Sequence, residues 1–545
     1  MSTSTGSSGN PIFVRNATGL VRQISGLEAF GMSINQMGLL YVFNVVAFTP
    51  AFYPTANPLL GPFVGLLLVL PLVGVYILFS VGIPRTGGDY VWVSRVFQPG
   101  IGFATNFAFT LIVLSVIGSV APWIGQWSIS PMFYDLGQIY NNANFVNIAN
   151  SLQSQTNVFL VSAIFIVIAG LIVIASSKLA AGIVKYWTFV AMIIGVIFIA
   201  VVLSAGSSTF ANNFNVYSHS NMSYAQVITT GQQTYSTVYN GVPPALSSAT
   251  LYAAALGLLG FLGFNSSAYF AGEVKQNRKS QILAQLGGTI VYAVFITILI
   301  AVEYFGEGPK FVNSLAAMWY NGFGNYPYIP GVPPLASALS IYWTRNAALV
   351  SIFNLGFGLT AEMMNISILF MLSRNLFAWS FDRVVPSTFA DINSRTRTPI
   401  YAVAVMTVVG LIYTYIFVYA TGILSGLFNY GTAGEFTVFA IVSLAAIAYP
   451  YRMKKVFEAS DPTARNKIGS VPLITILGAI SFVISLVTIY AILLPNIGGS
   501  AFAGDLFYGI GLTFLIGAII YVIAWAARKS QGIDLSLLQR EIPPE

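Results

Sequence analysis

The 545-residue sequence contains no cysteine and a single histidine, His219. Without thiols there is no disulfide, no thiol nucleophile, no Cys-ligated zinc and no iron–sulfur cluster, and one imidazole cannot build a His-rich metal site. No cofactor and no resident metal are expected. Charge is also scarce: Asp, Glu, Lys and Arg make up 7% of the chain, against roughly 25% in a soluble domain. So few charges cannot cover a soluble surface of this size. What fills the sequence is apolar, 56% of it, in runs long enough to cross a bilayer at about 20 residues each. The opening MSTSTGSSGN is polar and uncharged, unlike the basic and apolar regions of a cleavable signal peptide. Insertion is expected to rely on the spans themselves.

Apolar segments at about 27–50, 59–82, 101–127, 156–176, 183–205, 249–272, 283–305, 346–372, 399–421, 431–450, 471–494 and 505–527 predict an all-α polytopic membrane protein of about 12 transmembrane helices. The connection from Thr421 to Gly431 is short and Gly-rich, and an error there would invert everything after it. Lys and Arg test the count, because they stay on the cytoplasmic side. With the N-terminus inside, 21 of them fall in inner segments and only Lys310 and Arg345 fall outside. This predicts a multi-pass protein of the cell membrane with both termini cytoplasmic. The net charge of +7 then reflects orientation. A nucleic-acid partner would be the competing reading of a basic chain, but these charges are spread over seven short inner segments and a tail. The expected partner is the lipid bilayer.

The outer loops carry almost no charge. The stretch 207–248 has no Asp, Glu, Lys or Arg, and 128–155 has only Asp135. A flexible polar linker is one reading. The other is an exterior so acidic that carboxylates, which titrate near pH 4, would be neutral there anyway. Asn221-Met222-Ser223 is a glycosylation sequon on this side. Those at Asn16, Asn265 and Asn365 fall inside or within helices and are read as accidental.

Two spans are irregular. The first places Asn35 and Gln36 beside Met37, Gly38 and Leu39 at mid-membrane depth, where unsatisfied amides cost several kcal/mol unless they face protein or a wet cavity. Interhelical hydrogen bonding explains such residues equally well. The sixth span alternates Gly257, Gly260 and Gly263 with large apolar residues, Phe261 and Phe264 among them, before Asn265. Close helix packing is the usual meaning of such glycines, yet paired Gly-interrupted spans in two halves point to a transporter's central site. Phe261 and Phe264 either close over a substrate or pack ordinarily.

Three segments carry a resemblance. The connection Ile83-Pro84-Arg85-Thr86-Gly87-Gly88-Asp89-Tyr90 through Arg95 resembles the Pro-x-x-Gly-Gly-x-Tyr-x-x-x-x-Arg signature of the amino acid–polyamine–organocation permease superfamily. Gly260 to Ser280, with Gly263-Phe264-Asn265 and Glu273-Val274-Lys275, is similar to its sixth helix and following loop. Ser373-Arg374 through Asp382-Arg383 to Pro386, with Asn393 to Pro399, resembles its loop between helices eight and nine. The likeness covers roughly residues 20–460.

The resemblance implies a LeuT-type fold of two inverted five-helix repeats, 26–205 and 249–450, joined by the uncharged outer loop 206–248. Helices 11 and 12 occupy 451–527, between tails 1–25 and 528–545. It implies a substrate held where helices one and six unwind, at Asn35, Gln36, Met37, Gly38 and Leu39 and at Gly260, Phe261, Gly263, Phe264 and Asn265. Exposed amide groups at such breaks suit a carboxylate, and free carbonyls suit an ammonium. Two departures stand out. Met37-Gly38-Leu39 replaces the family's frequent Gly-Ser-Gly, and Asn265 stands where Glu or Asp is frequent.

Carboxylates at membrane depth are functional hypotheses by default. Glu28 and Glu303 lie near span ends and are expected to be interfacial. Glu362 is the deepest, as a proton carrier or cation partner, or else as a neutral buried acid. Glu435, about one turn into the tenth helix, is a coupling candidate or, like Glu362, a partner for a second ammonium, with stabilisation by the helix N-terminus as the simpler explanation. The proton-coupled relatives' lysine in helix five is missing, because 186–205 contains no Lys. That leaves a proton route through Glu362, a sodium site using Thr360 or Ser367, or uncoupled exchange. Arg85 and Asp89 are expected in an inner loop that moves and pairs with charges near the first helix. The expected activity is alternating-access transport of amino acids, with polyamines or other organic amines as the alternative. A channel, a membrane-embedded enzyme or a non-transporting sensor is less well supported: no filter repeat, catalytic cluster or signalling domain is visible.

Overall fold

In lipid, backbone N–H and C=O groups must be satisfied within the chain, and helices do this locally. The computed structural model describes residues 19–53, 55–218, 222–234, 238, 240–243, 260–321, 326–420, 427–493 and 503–535, and nearly all of them are helical. The Asn16 sequon, His219, Asn221, the start of the sixth span through 259, the connection 421–426 and the tail from 536 lie outside the described residues. Among the described residues, ten helices are long and apolar enough to span a membrane: Gly61–Gly82, Pro99–Tyr140, Gln155–Ala175, Ser177–Tyr217, Asn277–Glu307, Ala347–Phe381, Ile400–Tyr419, Gly431–Arg452, Leu473–Ile492 and Tyr508–Ser530. They coincide with ten of the twelve expected segments. The other two are the first and the sixth, and both are broken.

The first span forms the helix Gly26–Met37, stops, and resumes as Val42–Phe52. Its start is a capping box: the Glu28 N–H donates to Ser25 Oγ, and the Ser25 N–H donates to Glu28 Oε2 at 2.7 Å, satisfying two groups that a helix end leaves open. Its stop is Gly38, at φ +80°, where a side chain would be strained. The sixth span leaves helical geometry after Gly260, passes Gly263 at φ +107°, and continues as short 3₁₀ turns, Ser266–Tyr269 and Ala271–Glu273.

Burial sorts the remaining helices. The most apolar stretches of Pro99–Tyr140 and Ala347–Phe381 are 83% and 89% buried, whereas that of Tyr508–Ser530 is 17% buried. The first two therefore form the centre and the last a lipid-facing rim, where Leu203, Tyr490 and Ile523 also point outward. Helix Gly26–Met37 packs on Ser177–Tyr217 and on Ala347–Phe381, so the first break lies against the central helix.

The two ends of the bundle differ in chemistry. At the basic end, Glu28 is buried and meets Lys178 Nζ at 2.9 Å. There the chain entering the first span pairs with the chain leaving the sixth: the N–H groups of Gln23 and Ile24 donate to the Glu273 carbonyl, and the Lys275 N–H donates to Ile24 O. The neutral end is more ordered than a polar linker. Ser130–Tyr140, Ala143–Ser151 and Tyr224–Thr234 are helices, and Ser177–Tyr217 runs on past a kink at Gly206. Asp135, the lone acid of its stretch, is buried and accepts from Tyr328 Oη at 3.0 Å and Asn354 Nδ2 at 3.2 Å. This ties the helices of the neutral end to the central one. Glu303 is fully buried at the same end.

Candidate functional site

The two breaks face each other. A Cβ placed on Gly263 would stand 2.9 Å from the Gln36 carbonyl carbon, and one on Gly38 would stand 2.8 Å from Tyr41 Cβ and 3.0 Å from Met364 Sδ. The absence of a side chain at Gly263 allows the sixth span to approach the first, and its absence at Gly38 makes room for the turn to Tyr41 and for Met364 of the central helix. Beside the contact lies a cavity. Its wall comes from five elements: Gln36, Met37 and Tyr41 of the first span; Leu262 and Gly263 of the sixth; Val113, Ser115, Val116, Ser119, Val120 and Trp123 of Pro99–Trp123; Met364 and Ile368 of Ala347–Phe381; and Gly431, Thr432 and Glu435 of Leu427–Arg452.

The wall is mostly apolar and has a definite polarity. Among the described residues its one ionisable carboxyl is Glu435, and it contains no Lys or Arg. Gln36 Oε1 is buried and accepts no hydrogen bond among the described residues. Among the described residues the wall thus offers an amide and a carboxyl and no cation. Towards the neutral end, Tyr41 stacks on Trp123 at 5.3 Å, Trp123 on Trp127 at 5.2 Å, and Trp127 meets Phe48 edge-on at 6.0 Å. These rings stand between the cavity and the outer helices.

Of the ten positions expected to bind substrate, Gln36, Met37 and Gly263 line this wall, and Gly38 shapes it. Asn35 turns away: its Nδ2 donates to Thr188 Oγ1 at 2.6 Å and to the carbonyls of Gly31 and Val184. It is the interhelical bond that the sequence left as one of two readings. Leu39 is in the core. Gly260 lies near the Tyr292 hydroxyl, with 3.3 Å to a built Cβ. Phe261 packs edge-on to Tyr292 at 5.5 Å, and Phe264 edge-on to Tyr76 at 5.5 Å, so both rings are packed in the core. Asn265 is buried, with Nδ2 3.5 Å from Tyr269 Oη.

The carboxylates change places. Glu362 is buried off the cavity wall, with Oε2 3.4 Å from Asn365 Nδ2 and Oε1 without a partner among the described residues. Glu435 is on the wall. Its helix begins at Leu427, two turns earlier, so the N-terminal dipole, which fades within the first turn, does not account for it. Thr360 Oγ1 donates to Gly356 O, and Ser367 Oγ rests on Met32 Sδ at 3.7 Å. These hydroxyls do not converge, and no cluster of three metal-ligating side chains occurs among the described residues.

At the basic end, the three signature segments meet. Tyr90 Oη donates to Asp382 Oδ2 at 2.9 Å, and Arg95 reaches the same carboxylate at 2.8 Å. Arg374 grips Glu273 through Nε at 2.8 Å and Nη2 at 3.1 Å. Asp89 accepts from Tyr269 Oη at 2.7 Å and Asn106 Nδ2 at 2.6 Å, while the Gly87 N–H donates to Tyr269 O. Asp89 therefore engages the sixth span, not the charges beside the first. Burial pushes its carboxyl up, to about 6, against the lowering effect of the Tyr269, Asn106 and Tyr76 hydrogen bonds. Arg85 Nη1 donates to Pro84 O.

Tyr41, Ser115, Ser119, Trp123 and Met364 were missed by sequence reasoning. The Pro99–Trp123 helix is apolar and buried on nearly every face, so no periodicity singles out the residues on the cavity side.

An uncharacterized protein 399 of Sulfolobus islandicus rod-shaped virus 1 is 24% identical over 326 residues, covering 60% of this chain and 65% of that protein; the chain thus spans somewhat less than two thirds of that relative. The family model for amino acid permeases matches residues 24–525, a range that contains both breaks, the cavity and all three signature segments. The chain is a polytopic membrane protein of the amino acid permease family.

Proposed function

We propose that this permease is a secondary transporter that moves amino acids across the cell membrane by alternating access around the breaks at Gly38 and Gly263, with the basic end and both termini in the cytoplasm. The supporting observation is the cavity where the two breaks meet, lined by Gln36 and Glu435 and, among the described residues, by no cation. An α-ammonium finds its partners there. Backbone groups released from the helical ladder at the breaks serve the carboxylate, and the apolar remainder of the wall accepts an uncharged side chain. This is a binding and gating device, and the reading is of a transporter, not an enzyme.

Glu435 on the wall also favours a second reading, an organic-amine carrier. A diamine would place one ammonium at Gln36 and the other at Glu435. Uptake of radiolabelled amino acids and amines into proteoliposomes, with and without a pH or sodium gradient, tests both. Saturable accumulation or exchange of neutral amino acids supports the first reading, and preference for diamines supports the second. Binding without accumulation or exchange for every compound contradicts transport.

A further inference from the structure

Two serines of Pro99–Trp123, Ser115 and Ser119, line the cavity one helical turn apart, so they lie on one face of that helix. Each hydroxyl has a single hydrogen, and each has already given it away: Ser115 Oγ donates to the Ile112 carbonyl at 2.6 Å and Ser119 Oγ to the Val116 carbonyl at 3.0 Å. A carbonyl has nothing to donate back, so what a ligand meets at either serine is a lone pair. The carboxyl of Glu435 belongs to the same part of the wall, because Gly434 lets its helix close on this one: a Cβ there would stand 2.5 Å from Ile112 Cδ1. The first span contributes the other chemistry, since the Gln36 amide and the Tyr41 phenol both carry hydrogens to donate. The wall is thus divided, with acceptors on Pro99–Trp123 and Leu427–Arg452 and groups able to donate on the broken first span.

We propose that Ser115 and Ser119 are the specificity-determining residues that make this a site for primary ammonium groups. An ammonium has three donors and no acceptor, a carboxylate only acceptors, and a quaternary ammonium neither. Only the first offers hydrogens to both serine oxygens and to the carboxyl beside them, whereas a carboxylate placed there would set lone pairs against lone pairs. The substrate is therefore held with its amine toward Pro99–Trp123 and its carboxylate toward the breaks. A quaternary ammonium compound of the same charge is rejected, because it leaves these acceptors desolvated and unbonded. This deepens the transporter reading and rests on it.

The chain has no cysteine, so one introduced thiol reports on the site alone. Val116→Cys puts it on the wall between the two serines. The full-length protein in detergent at neutral pH is treated with the aminoethyl, trimethylammonioethyl and sulfonatoethyl methanethiosulfonates, and each rate is divided by that with free mercaptoethanol. The first two reagents carry the same charge, but only the aminoethyl one has N–H groups. It is expected to react about ten- to a hundredfold faster than the trimethylammonio reagent, the range for hydrogen bonds to a charged group, with the sulfonate slowest. Adding Ser115→Ala and Ser119→Ala is expected to erase the aminoethyl advantage, while Ser115→Thr, which keeps an oxygen bonded back to its helix, retains it. Equal rates for the two cations, an advantage that survives both alanine substitutions, or a thiol that no reagent reaches overturns the proposal. Either alanine alone carries the test if the double variant does not fold. Counterflow absent for every compound, with the aminoethyl preference intact, would instead sink the transporter reading.

Discussion

Arg95 reaches across 287 residues of sequence to Asp382, its Nη1 2.8 Å from Oδ2 and its Nη2 3.2 Å from Oδ1. Both side chains are almost wholly buried, and Tyr90 donates to the same carboxylate. The Tyr and Arg of the first signature therefore converge on the Asp of the third. Bidentate geometry of this kind fixes orientation as well as distance, which suits a contact that holds the inner loop to the end of the central helix.

Removing one partner leaves the other charged and buried. Asp382→Asn is expected to lower stability by about 3–5 kcal/mol, the usual cost of breaking a buried pair from one side. Thermal unfolding in detergent checks it. Arg95→Lys should fall between the parent protein and Asp382→Asn, because an ammonium keeps the charge and loses the fork.

Gly263→Ala forces a Cβ to 2.9 Å from the Gln36 backbone at a φ of +107°, a strain of about 1–3 kcal/mol. Substrate affinity is expected to drop by about 5- to 150-fold, since each 1.4 kcal/mol is a factor of ten. Gly260→Ala, where the built Cβ meets only the tip of Tyr292 at 3.3 Å, is expected to cost much less. Equilibrium binding on the two variants compares them directly.

Glu435 and Glu362 separate by position. Glu435→Gln removes the only carboxyl on the wall among the described residues and is expected to weaken amine binding by about 1.5–3 kcal/mol, the range for hydrogen bonds to charged groups, with diamines losing more than neutral amino acids. Glu362→Gln, off the wall, is expected to leave affinity within about twofold and to abolish accumulation driven by a pH gradient. Competition binding and gradient-driven uptake provide the two readouts.

Much of the fold was legible in the sequence because its signals are long. Twenty apolar residues in a row declare a span whatever surrounds them, and Gly38 and Gly263 marked the breaks because glycine and amide are out of place at membrane depth. Single side chains were harder. Asn35 and Gln36 are adjacent and equally polar, yet a helix points them about 100° apart, one to Thr188 and the other to the cavity. Glu435 was assigned to a helix start that lies two turns away. The outer helices were hidden by their composition: Ser, Asn, Gln and Gly read as linker until Asp135, Tyr328 and Asn354 are brought together.

The central claim is that the cavity at the two breaks carries substrate from one side of the membrane to the other. Counterflow in proteoliposomes tests it most directly, with vesicles preloaded with an unlabelled amino acid and the same compound supplied outside at trace radiolabel. Transient accumulation of label by the parent protein, and none by Gly263→Ala verified as folded, is the predicted result. No counterflow by the parent for any amino acid or amine, or equal counterflow by the variant, would contradict it.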